Sequence, residues 1–358
     1  DISDKNRSLA HHIQKLWESD VAEFGTGFAQ LADISHKEGY KKALNTLSGS
    51  GVSAVAASRL EWSQRFLQNA FSCPVFVGDT ALLTQKECSW MRYDRTFFEQ
   101  KEDNESIGYD GSAWTTVFGG QREIYPGWFL SGAFGYEQNS VNSSVARTST
   151  DGSSAMVVAA LKYQRGPLLL AGALDFGYGS FDSTRRILLP NNTFEARASS
   201  NSYNTGLHFR AAYQFTRGSW YLQPSVELSA TYLRLDGYRE TGAGAFNLDV
   251  ESSEEFVYSL TPAVQVGKRI DMEGGAILNA YLKLGVTANS QDEWTTTARF
   301  ADSPSSAGTF KSVLGTPSSL GRLDLGVEVF RTGRFTLEAA YQVDFAKGYS
   351  AQSANFRL

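Results

Sequence analysis

Residues 220–228 read WYLQPSVEL, and this stretch decides the fold. Trp220, Leu222, Pro224, Val226 and Leu228 are apolar, while Tyr221, Gln223, Ser225 and Glu227 are polar or amphipathic. Strict alternation of this kind presents two clean faces only on a β-strand. It continues through Ala230 and Tyr232, which is long for a strand of an ordinary globular protein. Working outward, Leu207, Phe209, Ala211, Tyr213 and Phe215 alternate with His208, Arg210 and Gln214. Phe256, Tyr258, Leu260, Pro262, Val264 and Val266 likewise share one side. One face is greasy and the other carries charge. A soluble sandwich would turn the greasy face inward; a membrane barrel would turn it out to lipid.

Composition narrows the choice. The chain has 358 residues, room for one large barrel and a small appended region. Lys+Arg number 33 against Asp+Glu 38, and no basic block suggests nucleic acid. The longest apolar runs, such as Leu168 to Leu174, fall far short of the ~18 residues of a membrane-spanning helix. Mean hydropathy is negative. Transmembrane barrels share that property, because every second residue is polar. The chain opens Asp-Ile-Ser-Asp without Met or an apolar leader, as expected of a mature or truncated product.

Residues 1–50 are expected to form a helical segment. Leu9, Ile13, Leu16, Trp17, Phe24, Phe28 and Leu31 fall near one helical face, with a break near Phe24. Ser35 and Glu38 have capping-box spacing, and Tyr40, Ala43, Leu44 and Leu47 form a second stripe ended by Gly49 and Gly51. Residues 51–72 contain an Ala-rich helix from about Ser53 to Phe71, roughly 28 Å long. Arg59, Glu61, Gln64 and Arg65 make it too polar for lipid. It suits a wet barrel lumen, or else it is a third helix packed on the first two. Residues 73–88 are expected to be a loop closed by a Cys73–Cys88 disulfide, the alternative being two unpaired thiols; no CxxC or nearby His suggests a metal.

Residues 89–358 hold twelve strand candidates, beginning near Trp90, Ala113, Trp128, Ala155, Leu168, Tyr203, Trp220, Phe256, Ile277, Gly321, Phe335 and Ser353. Short connections (125–127, 165–167, 217–219, 271–275, 332–333) alternate with mostly long polar ones (102–112, 139–154, 180–201, 240–255, 291–319). All tight turns then lie at one end of the sheet, as in outer-membrane barrels. Aromatics bracket the strands. Trp128, Trp220 and Phe335 follow short turns, and Tyr136, Phe176, Tyr232 and Phe345 lie towards the long loops, as two interfacial girdles would. The fold expected is an all-β membrane barrel of twelve antiparallel strands, with N-terminal helices and one of them in the lumen.

The polar faces place Asp175, Glu227, Asp324, Glu328, Glu338 and Asp344 in that lumen, where Arg59 and Arg65 of the helix are expected to seat against them. Catalysis is poorly supported. His11, His12 and His36 precede the barrel, His208 has no placeable Ser or Asp neighbour, and no GxSxG occurs. No cofactor or nucleotide site is expected.

In order, the chain resembles the translocator domain of autotransporters, the type V secretion family. The resemblance rests on YKKALNTLSG (40–49), the Ala-rich helix, CSWMRYDR (88–95) and the closing LEAAYQVDFAKGYSAQSANFRL (337–358). It implies a helix through the lumen and a passenger joined before residue 1, exported to and anchored at the surface of a Gram-negative cell. Its implied partners are the outer-membrane bilayer, the passenger, the barrel-assembly machinery and periplasmic chaperones. Family barrels usually end on Phe or Trp, whereas this sequence stops at Leu358, so a cut last strand is expected. Some members cleave themselves at an Asn-Asn junction; Gln68-Asn69-Ala70 does not match it. The alternative reading is a porin or adhesin barrel with periplasmic helices, and a less favoured one is a hydrolase with loop-borne catalytic residues.

Overall fold

The computed structural model describes residues 4–19, 22–70, 73–103, 107–331 and 335–358. Twelve strands close into one antiparallel barrel. They are β1 (Cys88–Gln100), β2 (Tyr109–Tyr125), β3 (Trp128–Ser143), β4 (Thr148–Arg165), β5 (Leu168–Leu188) and β6 (Thr193–Tyr213). There follow β7 (Trp220–Leu235), β8 (Ser253–Asp271), β9 (Ala276–Asn289), β10 (Ser319–Arg331), β11 (Phe335–Ala346) and β12 (Tyr349–Arg357). Each strand pairs with its neighbours in sequence. β12 returns to β1 from Tyr349↔Gln100 to Arg357↔Arg92, so the sheet has no free side. Closure satisfies the backbone groups between strands, the condition for crossing lipid.

The alternation at 220–228 faces as its chemistry requires. Trp220, Leu222, Val226 and Leu228 are exposed on the outer wall, while Tyr221 and Ser225 are buried inside. Phe209, Phe256, Tyr258 and Leu260 also point outward. The tight turns collect at one mouth. There Gly127, Gly166 and Gly218 adopt positive φ, which a side chain resists. The expected turn at 332–333 lies outside the described residues.

Two regions expected as long loops are strand instead. Residues 139–154 and 180–201 extend β3–β4 and β5–β6, turning at 144–147 and 189–192. Their Ser, Thr and Asn content masked them: above the greasy belt both faces can be polar, and the apolar signal vanishes while the ladder persists. The remaining long connections build a second sheet at that mouth, from strands Tyr238–Arg239, Leu248–Val250, Glu293–Phe300 and Phe310–Gly315.

Helix α1 (Asp4–Glu18) packs on this second sheet, α2 (Ala22–Ala32) on the 3-10 turn at Gly244–Phe246, and α3 (Lys37–Leu47) on β5. Leu9, Ile13, Leu16, Phe24, Phe28, Leu31, Leu44 and Leu47 share a core with Phe246, Leu248, Phe300 and Phe310. Trp17, placed on the apolar face by its spacing, is 55 % exposed. The Ser35/Glu38 capping box is not made; the N-cap is His36, with no side-chain bond. Beyond a 3-10 turn at Ser50–Ser53, α4 (Ala54–Ala70) enters the barrel. The expected helix end at Phe71 and the side chain of Asn69 lie outside the described residues.

Candidate functional site

The site is the lumen, and the barrel's own chain fills it. α4 runs from the long-loop mouth to the tight-turn mouth. At its start, Ala54 and Ala56 pack with Phe98, Tyr109, Leu233, Trp294 and Tyr349. At its end, Trp62 and Phe66 pack with Trp90, Val117, Met156 and Val158. Gly135 of β3 leaves room for that end, since a Cβ there would stand 2.3 Å from the Phe66 ring.

Between these apolar ends lies a polar girth. Arg59, fully buried, donates to Asn204 Oδ1 at 2.9 Å, lies 3.9 Å from Glu137 and stacks over Trp62 at 4.3 Å. Ser63 donates to Asp175 at 3.1 Å, and Gln64 to Ser259 at 3.0 Å. Arg65 bridges Asp344 at 3.0 Å and Glu61 at 2.7 Å, while Tyr349 donates to Glu61 at 2.6 Å. The helix is thus held from β5, β6, β11 and β12 by charge-assisted bonds and from β8 by a neutral one, in a low-dielectric interior where such bonds are strong.

Of the carboxylates expected on the helix, Asp175 and Asp344 are the ones bonded to it among the described residues. Glu227 lies 3.6 Å from Arg210 and 3.4 Å from Lys283. Glu328 and Glu338 both lie 2.7 Å from Arg357, and Asp324 sits opposite Lys283 in the β9–β10 ladder. α4 packs mainly along β2–β7, so carboxylates on the far wall meet cations of adjoining strands first. Asp324, Glu328 and Glu338 line a polar cavity of about 150 Å³ beside Arg92, Arg210 and Lys283. Of the partners that Arg59 and Arg65 take on the wall, Asp344 was among the lumen carboxylates expected from sequence, while Glu137 and Asn204 were not. All three sit on lumen-facing positions, but the ring-wide stagger that selects them is not written locally.

His208, which had no placeable partner, lies 3.0 Å from Asp175, whose other oxygen accepts from Ser63. Ser63 and His208 thus both bond the carboxylate. A nucleophile needs the imidazole on the serine oxygen, so this arrangement orders the helix and does not activate the hydroxyl.

Residues 73–88 form a cap rather than a loop. Strands Pro74–Phe76 and Leu83–Gln85 pair as a hairpin, and Cys73 is disulfide-bonded to Cys88 at its base. Phe76, Ala81 and Leu83 cross the lumen to pack on Tyr221 and Phe330. Gln121, Lys162, Gln164, Gln214 and Arg269 hold the hairpin from the wall. Sequence reasoning missed all five; the available signal was a lumen-facing polar residue just before a tight turn.

Of the expected girdle, Trp220 and Phe335 face outward beside the tight turns, with the Trp128 ring 4.9 Å from Tyr163 in a tilted contact. Tyr136, Phe176 and Phe345 are exposed higher on the wall, and the Tyr232 ring makes a tilted contact with Phe256 at 4.9 Å. From Trp220 to Tyr232 is twelve positions, about 30 Å of height after strand tilt, close to a bilayer core.

A greasy closed wall around a polar interior occupied by the segment preceding it defines a membrane-spanning barrel with its own chain threaded through it. The sequence matches the family described as Autotransporter beta-domain over residues 89–342, and the chain belongs to that family. It is the translocator domain of an autotransporter, and its place is the outer membrane of a Gram-negative bacterium. Among solved structures it is similar to the translocator domain of autotransporter NalP from Neisseria meningitidis, with TM-score 0.66 and 13 % identity over 85 % of this chain and 96 % of that one. The β-domain of the Bordetella autotransporter BrkA covers 75 % of this chain and 98 % of that one, with TM-score 0.50 and 19 % identity. Among curated proteins, esterase EstA of Pseudomonas aeruginosa is 24 % identical over 43 % of this chain. The chain spans about a quarter of that relative's length, as the match covers 24 % of it.

Proposed function

We propose that residues 1–50 link the barrel to a passenger, which the barrel exports and then holds at the cell surface. The observation that carries this reading is the direction of α4: it descends from the long-loop mouth, where α1–α3 are docked, to the tight-turn mouth, where β1 begins. Outer-membrane barrels turn long loops outward and short turns to the periplasm. Helices on the long-loop side therefore belong outside. A porin or adhesin with periplasmic helices would need them at the opposite mouth.

In this reading α4 is the plug left when export ends, and Arg59, Ser63 and Arg65 register it. Trp128, Trp220 and Phe335 mark the periplasmic interface; Tyr136, Phe176, Tyr232 and Phe345 mark the upper wall. Insertion is the work of the barrel-assembly machinery, supplied by periplasmic chaperones. The test is an epitope placed before Asp1 in cells exporting the chain. Antibody labelling of intact cells is expected. Labelling that requires a permeabilised outer membrane would put α1–α3 in the periplasm and end this reading.

A further inference from the structure

The wall holds the 73–88 hairpin by its backbone. Gln214 Nε2 donates to the carbonyl of Ala81 at 2.6 Å, and its Oε1 accepts from the Leu83 N–H at 3.2 Å. Gln164 Oε1 accepts from the Gln85 N–H at 3.3 Å, and Gln121 Nε2 donates to the Lys86 carbonyl at 2.8 Å. Arg269 donates to the carbonyls of Thr80, at 2.8 Å, and Gly78. These four side chains come from β2, β4, the end of β6 and β8, spread along much of the mouth. Gln121, Gln214 and Arg269 are buried. Arg269 keeps Asp271, and Gln121 keeps Lys162, as partners within the wall, but the Gln214 amide, Arg269 Nη1 and Gln121 Nε2 are satisfied here by the hairpin segment, and a buried donor without a partner is costly.

Main-chain groups are the same in every residue. A site that bonds N–H and C=O binds extended chains without regard to sequence, as strand-adding receptors do. The hairpin's side chains add two anchors: Phe76 and Leu83 on Tyr221 and Phe330, and Gln85, whose Oε1 accepts from Gln121 at 3.2 Å and Lys162 at 3.1 Å. Above the hairpin lies the polar cavity lined by Arg92, Lys283, Asp324, Glu328 and Glu338.

We infer that Gln121, Gln164, Gln214 and Arg269 form a binding site for extended polypeptide backbone at the periplasmic mouth. The chain's own hairpin occupies it at rest, and a segment of the passenger occupies it during export. The second clause rests on the passenger reading above; the site itself does not. The disulfide ties the hairpin to the start of β1, keeping it at high local concentration, so an outside chain competes only once the hairpin's apolar anchors give way.

The test uses the full chain in detergent micelles, with Phe76→Ala and Leu83→Ala combined to release the hairpin and leave the four wall residues intact. The probes are a fluorescein-labelled peptide of residues 74–85 carrying Phe76→Ala and Leu83→Ala, which leaves the Tyr221 and Phe330 anchor nothing to select, and a scrambled peptide of the same composition, followed by anisotropy. The released variant is expected to bind both peptides within about threefold of each other, and each about tenfold tighter than the unaltered chain does. Adding Gln214→Ala and Arg269→Ala should remove about tenfold of that affinity. Preference of tenfold or so for the native order would mean side-chain recognition, and no binding by a variant that keeps its heat-modifiable gel shift would mean no site; either overturns the inference. Should the released variant not fold, amide exchange on the otherwise unaltered chain decides. Gln214→Ala should speed exchange at Leu83 by about tenfold, and unchanged exchange would sink the idea. Neither readout depends on which side of the membrane the N-terminus occupies, so this site and the export reading fail separately.

Discussion

Arg59 shows how a single residue commits the lumen. Desolvating a guanidinium costs several kcal/mol, recovered only if its partners are in place. Here Asn204, Glu137 and the face of Trp62 surround it. Arg59→Met would remove the cation and leave Glu137 buried against an apolar chain. We expect a loss of about 3–5 kcal/mol, the cost of breaking a buried pair by deleting one partner. Urea unfolding of the refolded barrel measures it, and an unchanged midpoint would mean the pair is not what seats α4. That Arg59 and Arg65 belonged inside was legible from a polar helix preceding a barrel. Which carboxylates they meet was not. A pairing across the lumen depends on the accumulated stagger of twelve strands, and a shift of one residue turns each side chain to the other face.

At the scale of elements, the docking of α1 on the second sheet has a built-in pH response. His12 is buried, its ring centroid 5.7 Å from Phe300 and 5.3 Å from Phe310, with Nδ1 3.2 Å from the Ala307 carbonyl. Burial, with a smaller contribution from Lys15, lowers its pKa below 6.5, against the raising effect of the Ala307 bond. Folding therefore favours the neutral ring, and the undocked segment binds more protons just below that pH. Docking is at full strength above about pH 6.5, weakens as pH falls through the window beneath it, and levels off below the folded pKa. Amide exchange in α1 should be faster at pH 5 than at pH 8 after correction for the intrinsic rate, and His12→Phe should remove the difference. Equal protection at both pH values would remove His12 from the account. The helices themselves were legible from their apolar stripes, but their floor was not. The strands at 238–239, 248–250, 293–300 and 310–315 are short pieces inside polar loops, and only the helices above them give their apolar residues a core. The 73–88 hairpin was hidden for the opposite reason: its strands are three residues each, too short for a period to register.

For the molecule as a whole, the alternation at 220–228 showed two-faced strands, and the segregation of short and long connections showed which face meets lipid. Val226 lies midway between Trp220 and Tyr232 and faces outward. Val226→Arg should cost about 2–4 kcal/mol in phospholipid vesicles, the penalty for a cation near the middle of a barrel's lipid face. The inward neighbour Ser225, changed to Asn, should cost less. Equal effects would mean that the wall is not embedded as its pattern implies.

The disulfide at the foot of the plug has a mechanical meaning. The helix is a thread passing through a ring made from the same chain, and the docked bundle of α1–α3 is a stopper at one end. Tension applied to that bundle from outside the cell would run down α4 and cross from Cys73 straight into Cys88, the first residue of β1. Residues 74–87 would carry none of it. A pulled molecule would load its wall while the hairpin stayed slack in the mouth, so a tug at the surface need not unseal the membrane.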